Sequence, residues 1–161
     1  MWCSERTLPR RTLAAFVALA VFAALALAFG GQAHAQGAPD GPRLALVAAR
    51  TTGLEALTRE SAEQFYLGRR TALPDGRAVT LVDLPAGPTR DQFYLRLARK
   101  NPSQIRAYWS RLVFTGRAQP PIEAANAEEV RRLLRSIQGA IAYLPLEEAQ
   151  DPDLVVLLTL D

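Results

Sequence analysis

Residues 78–99 read AVTLVDLPAGPTRDQFYLRLAR, and this stretch decides the fold class. Ala78 to Val82 is an apolar run of strand length, rich in β-branched residues. Leu84-Pro85-Ala86-Gly87-Pro88 carries two prolines and a glycine, so it breaks regular structure. Thr89-Arg90-Asp91-Gln92 has the spacing of a capping box: a threonine cap with glutamine three residues on. The spacing predicts a helix from there to about Arg99, with Phe93, Tyr94 and Leu97 turned inward. Strand, tight turn and helix together form the repeating unit of α/β folds.

The flanking sequence continues the pattern. Asn101-Pro102 stops the helix, and Ser103 reads as the cap of the next. In that helix Ile105, Tyr108, Trp109 and Leu112 fall at i, i+3, i+4 and i+7, one apolar stripe. Gly116 ends it, and Pro120-Pro121 makes an extended link. Asn126 caps a last helix with Glu129 at the third position. Val130, Leu133, Leu134 and Ile137 form its apolar face, and Glu128 stands four residues before Arg132, the spacing of an ion pair. Gly139 closes it. Ala140–Leu144 reads as a strand, and so does Leu154–Leu160, whose nearly unbroken apolar character predicts a central or doubly covered position.

Upstream, Leu44–Ala48 reads as a buried strand. Thr58 caps a helix that runs to Leu67, with Glu60 in its first turn and Ala62, Phe65 and Tyr66 on its apolar face. Gly68 stops it, and Pro74-Asp75-Gly76 is a turn. The order β-α-β-α-α-α-β-β predicts a single α/β domain over residues 43–161, helices packed on one mixed sheet.

Residues 1–35 read as a cleavable secretory signal. Arg6, Arg10 and Arg11 precede Leu13–Phe29, seventeen residues without charge. Ala33-His34-Ala35 follows as a small-x-small cleavage site. An uncleaved anchor is the other reading, since seventeen residues sit at the low edge of a membrane span. Residues 36–42 read as a Gly/Pro spacer. Export places the domain in the periplasm, and cleavage removes the only cysteine, Cys3, and the only histidine, His34. What is left contains no thiol and no imidazole. Disulfides, Cys/His metal sites, and serine–histidine or cysteine–histidine catalysis are excluded. No catalytic residue, metal ligand or cofactor site is assigned, and an enzyme ranks last among the function classes. Sixteen cations against fifteen acids from Gln36 onward leave a net charge of +1, too little to support a nucleic-acid surface.

Three stretches carry a family resemblance. They are Phe65-Tyr66-Leu67-Gly68-Arg69-Arg70 with Leu73-Pro74-Asp75-Gly76, then Tyr108-Trp109-Ser110-Arg111-Leu112-Val113-Phe114-Thr115-Gly116, then Gly139-Ala140-Ile141-Ala142-Tyr143-Leu144-Pro145. In order and spacing the chain resembles the small, single-lobe relatives of the phosphate ABC transporter substrate-binding protein, of the type 2 periplasmic binding fold. Leu73 stands where that family often has an aromatic residue, and Ala142 where it has glycine. Trp109 and Phe114 read as core, and Gly68 and Gly139 as helix stops. The resemblance implies binding of a small solute, phosphate or another oxyanion, and association with an ABC permease. The membrane enters only through the signal segment before cleavage, and no nucleic acid is implied.

In full-size phosphate-binding relatives a helix start carries a serine-glycine-threonine run preceded by an arginine and an aspartate. The matching place here is Asp83 to Thr89. Gly87-Pro88 replaces serine-glycine, Asp83 replaces the arginine, and Pro85 stands for the aspartate. Gly87, Thr89 and Arg90 are the candidate ligand-binding residues. Two readings of the loop stand side by side: an altered oxyanion site built on free helix N–H groups, or an ordinary capping box. Arg69 and Arg70 are candidates to lend charge from a neighbouring loop, or to sit in solvent. At the level of function the alternatives are a solute-binding protein and a periplasmic interaction module that kept the fold and lost the ligand.

Overall fold

A computed structural model describes residues 41–161. The signal read over residues 1–35, and the spacer as far as residue 40, lie outside the described residues. The elements run β1 (Leu44–Ala49), α1 (Arg59–Tyr66), β2 (Thr80–Asp83), α2 (Pro88–Ala98), α3 (Pro102–Phe114), β3 (Ile122–Glu123), α4 (Ala127–Ser136), β4 (Ala140–Pro145) and β5 (Leu154–Leu160). They form one mixed sheet in the order β3-β2-β4-β1-β5. β2 pairs in parallel with both β3 and β4, while β1 pairs antiparallel with β4 and β5.

All six residues of β1 and all six of β4 are buried, so both faces of the sheet's middle are covered. β5 departs from its expected central place: it is an edge strand. Its apolar run misleads because a bulge in its pairing with β1 turns only Leu154, Leu157 and Leu160 fully inward, leaving Val156 exposed. β3 was absent from the sequence reading. Two residues after a double proline carry no periodicity, and Ile122 and Glu123 both face solvent.

Three glycine-bearing or aromatic motifs prove to be joints between elements. Gly68 has φ +62°, and a Cβ there would stand 3.0 Å from Trp109 and Ala118. The Tyr108 hydroxyl donates to the Leu67 carbonyl at 2.6 Å, so α3 is fastened to the end of α1 at that point. Gly139 has φ +78°, and a Cβ would come within 2.5 Å of the Ala78 carbonyl. Only glycine permits this approach of the β4 entry to the β2 entry. Trp109 is buried as expected, but Phe114 is 92% exposed. It lies at the end of α3, off the apolar stripe, and so has no neighbour to cover it.

The helix starts differ from the sequence reading in two places. α2 begins at Pro88 with Gly87 as its cap residue, and no side chain caps it. Thr89 is therefore the second residue of the helix, and the expected Thr89–Gln92 box does not form. The box occurs instead at α3, where Asn101 caps in place of Ser103: its side chain accepts from Gln104 N–H while Gln104 accepts from Asn101 N–H. In both cases a proline at the first helical position, which has no N–H to lose there, moves the boundary two residues upstream. On α4, Arg132 pairs with Glu129 rather than with Glu128. Glu129 already accepts from the Ala125 N–H at 2.8 Å, which holds it within reach of Arg132.

Candidate functional site

The parallel strands β2, β3 and β4 deliver their C-terminal ends to one side of the sheet. In open α/β sheets that side is where ligands bind. A crevice of about 260 Å³ lies there. Its walls come from the β2–α2 loop (Leu84 to Pro88, with Thr89), the start of α4 (Asn126, Ala127), the end of β4 (Pro145) and the turn after it (Glu148). Two candidate residues, Gly87 and Thr89, line it. Arg90 does not.

The crevice brings two helix starts together. At α4, Asn126 Oδ1 accepts from Glu129 N–H at 2.9 Å, and acids fill the first turn. At α2 the first intrahelical bond runs from Asp91 N–H to the Gly87 carbonyl. Pro88 has no N–H. The Thr89 and Arg90 N–H groups thus lie above the helical ladder, at the positive end of the helix dipole. The Thr89 side chain is half-buried in the crevice wall. Glu148 is the one charged side chain lining the space, and it pairs with Arg131 at 3.4 Å.

Arg90 faces a different set of groups. Its Nε donates to Asp83 at 3.0 Å, and its Nη1 reaches Glu123 at 3.4 Å. Asp83 is 2% exposed and ends β2. It also accepts from the Tyr94 hydroxyl at 2.9 Å and from the Tyr143 hydroxyl. Tyr143 in turn accepts from the Leu84 N–H at 3.3 Å. Burial pushes the Asp83 carboxyl above its usual range, while Tyr143, Arg90 and Tyr94 pull it back. Burial and the nearby Asp83 charge push the Tyr94 and Tyr143 hydroxyls well up, so both stay protonated donors. Phe93 stacks on Tyr143 at 3.6 Å, and Tyr66 packs edge-on to Phe93 at 4.7 Å. The residue that reverses charge in the loop is thus an internal anion, fully met by one arginine and two tyrosines.

Arg69 pairs with Glu63 at 3.8 Å, and Arg70 Nε donates to the Ala72 carbonyl while its guanidinium lies over Phe65. Neither lines the crevice. Sequence reading missed Asn126, Ala127, Pro145 and Glu148 as crevice walls. Asn126 was legible as a helix cap, but the strand before it, β3, was not, so no sequence signal marked this wall. Among the described residues no cluster of three acids, histidines or cysteines is placed to hold a metal, and no helix is long and apolar enough to cross a membrane.

The architecture is that of one lobe of a type 2 periplasmic binding protein: five strands in a mixed sheet, four helices against it, and a crevice at the strand ends. It is similar to the crystal structure of an ABC-type phosphate transport receptor from Vibrio cholerae, with a TM-score of 0.55 and 16% identity over 72% of this chain and 46% of that one. It is similar, too, to a putative phosphate ABC transporter substrate-binding protein with bound phosphate from Clostridium perfringens, with a TM-score of 0.56 and 15% identity over 72% of this chain and 45% of that one. The match thus spans less than half the length of either solved structure. No family model matches the sequence, and no curated protein matches it.

Proposed function

We propose that this chain is a periplasmic solute-binding protein of a single lobe, that its ligand is a small oxyanion such as phosphate, and that it serves an ABC-type permease. One observation carries the reading. Of the four helices described, α2 alone starts without a side-chain cap, and its start opens on the crevice at the strand ends. Two backbone N–H groups and the Thr89 hydroxyl would meet the anion, aided by the helix dipole. Phosphate in one of the solved neighbours agrees with that chemistry.

The same geometry limits affinity. Arg90 already serves Asp83 and Glu123, so the anion gains no free guanidinium. The crevice is open to water, which weakens each charge-assisted bond. A lone lobe should bind weakly, and tighter capture requires a second wall from a partner or another copy. Calorimetric titration with phosphate, sulfate and molybdate tests this; silence with all three at millimolar concentration sinks it. N-terminal sequencing of periplasmic protein tests the export signal, with Gln36 as the expected first residue.

A second reading has its own observation. The one charged side chain lining the crevice is an acid, Glu148, a poor setting for a doubly charged anion. In this reading the lobe is an interaction module that kept the fold. Capture of a defined periplasmic partner together with no anion binding supports it; anion binding by a partnerless monomer rejects it.

A further inference from the structure

Between Asp91 and Glu123 the chain has six cations and no acid, whereas the other described residues have ten cations and fourteen acids. Charge is therefore segregated, and α3 lies in the middle of the basic segment. Among the described residues no ion pair involves Lys100, Arg106, Arg111 or Arg117. The Lys100 ammonium lies over the face of Tyr108, 6.0 Å from the ring centre. The cations are left to act outward.

Their placement on α3 is specific. Ile105 and Trp109 bury one side of the helix. At roughly 100° per residue, Phe114 falls on the opposite side, between Arg106 and Arg111. Phe114 is 92% exposed and Val113 51% exposed. A protruding aromatic, flanked by cations and free of acids, matches the charge and layering of a bilayer surface with anionic headgroups: arginines meet phosphates while the ring enters the interface. The outer side of a single helix is a ridge and not a groove, and a flat interface needs no groove.

We propose that the outer face of α3 docks this protein onto an anionic lipid surface. The docking face is separate from the strand-end crevice and does not depend on an anion binding there.

The test is co-sedimentation of the full chain with vesicles of phosphatidylcholine alone and with vesicles containing phosphatidylglycerol. Leu13–Phe29 and the arginines before it (Arg6, Arg10, Arg11) add binding of their own, so the readout is how the ratio between the two vesicle types changes on substitution within α3. Wild type should prefer the anionic vesicles, less so as salt is raised. The double substitution Arg106→Gln, Arg111→Gln should cut that ratio roughly thirtyfold, and Phe114→Ser should lower binding to the anionic vesicles. Arg132→Gln on α4 should leave the ratio unchanged. All four positions are exposed, and unchanged thermal unfolding confirms that each variant folds. Equal binding to both vesicles, or a ratio insensitive to the α3 changes, overturns the proposal. A photo-crosslinking amino acid at position 114 separates the occupants: lipid adducts in cells support the proposal, and adducts only to protein or nucleic acid overturn it.

Discussion

α2 and α4 each begin a short turn after a parallel strand, and both beginnings line the same crevice. α4 is fastened locally. Asn126 caps it, and Glu129 reaches back to the Ala125 N–H. α2 is fastened from a distance. Its own Arg90 and Tyr94 reach back to the strand-end acid Asp83, which Tyr143 of β4 also grips. A local cap uses up the helix's N–H groups, whereas a remote anchor leaves them available. The difference explains how α2 can start on glycine and proline without coming loose, and why an anion site is sought there and not at α4.

The largest effect should come from cutting the remote anchor. Asp83→Ala leaves two buried tyrosine hydroxyls and an arginine without their acceptor, and should cost about 3–5 kcal/mol in urea unfolding. A loss under 1 kcal/mol would mean that α2 is held some other way. The pH profile sharpens the point. Asp83 is raised by burial, so the folded state holds its proton more tightly than the unfolded chain. Its contribution to stability is greatest below the unfolded value of about 3.9 and declines as pH rises through the folded value. Glu129, lowered first by the Ala125 N–H, acts in the opposite sense: its contribution is present above its unfolded value and is lost as pH falls through its folded one. Asp83→Asn should therefore make stability climb more steeply than in wild type as pH rises above the unfolded value. An unchanged slope would place the Asp83 carboxyl in its ordinary range.

Removing the local cap is a smaller injury. Asn126→Ala should cost about 1 kcal/mol, read from the same denaturation curves, and should leave anion titrations unchanged. An equal loss at Asn126 and Asp83 would erase the distinction between the two anchors.

Local signals were readable where chemistry is local. The Asn126 cap, the α3 apolar stripe of Ile105, Tyr108, Trp109 and Leu112, and the turn at Pro74-Asp75-Gly76 all rest on neighbours within a few residues. The α/β class followed from the strand–turn–helix at residues 78–99. Features set by distant partners were not readable. Nothing around Leu154–Leu160 reveals that a bulge against β1 places it at an edge. Nothing around Asp83 reveals Tyr143, sixty residues away. The Thr89–Gln92 spacing failed for a local reason: Pro88 starts the helix two residues early. At the crevice, Gly87 and Thr89 were in the sequence-based set, but the opposing wall at Asn126 and Glu148 became visible only when β2, β3 and β4 lay side by side.

Grafting a cap onto α2 would make the two starts alike. Gly87 is in extended backbone, and the nearest atom to an added Cβ is the Pro85 carbonyl oxygen at 3.9 Å, so a side chain fits. Gly87→Asp should stabilise the fold by a few tenths of a kcal/mol. It should also abolish anion binding, because its carboxylate takes the same N–H groups. Anion binding that survives this change would move the site elsewhere.

The smallest structural effect should be at Thr89. As a capping residue its replacement by alanine would cost about 1 kcal/mol. At the second helical position, with Gly87 the cap residue, Thr89→Ala should shift stability by no more than a few tenths of a kcal/mol, as for other changes away from caps and cores. Affinity for phosphate should respond separately. Losing one hydroxyl donor to a charged ligand should weaken binding roughly tenfold. The pair of measurements matters more than either alone. Stability lost with affinity intact would return Thr89 to capping duty. Affinity lost with stability intact would make it a contact of the crevice. Neither changing would leave the α2 start without a ligand, and favour a lobe that meets partners instead of solutes.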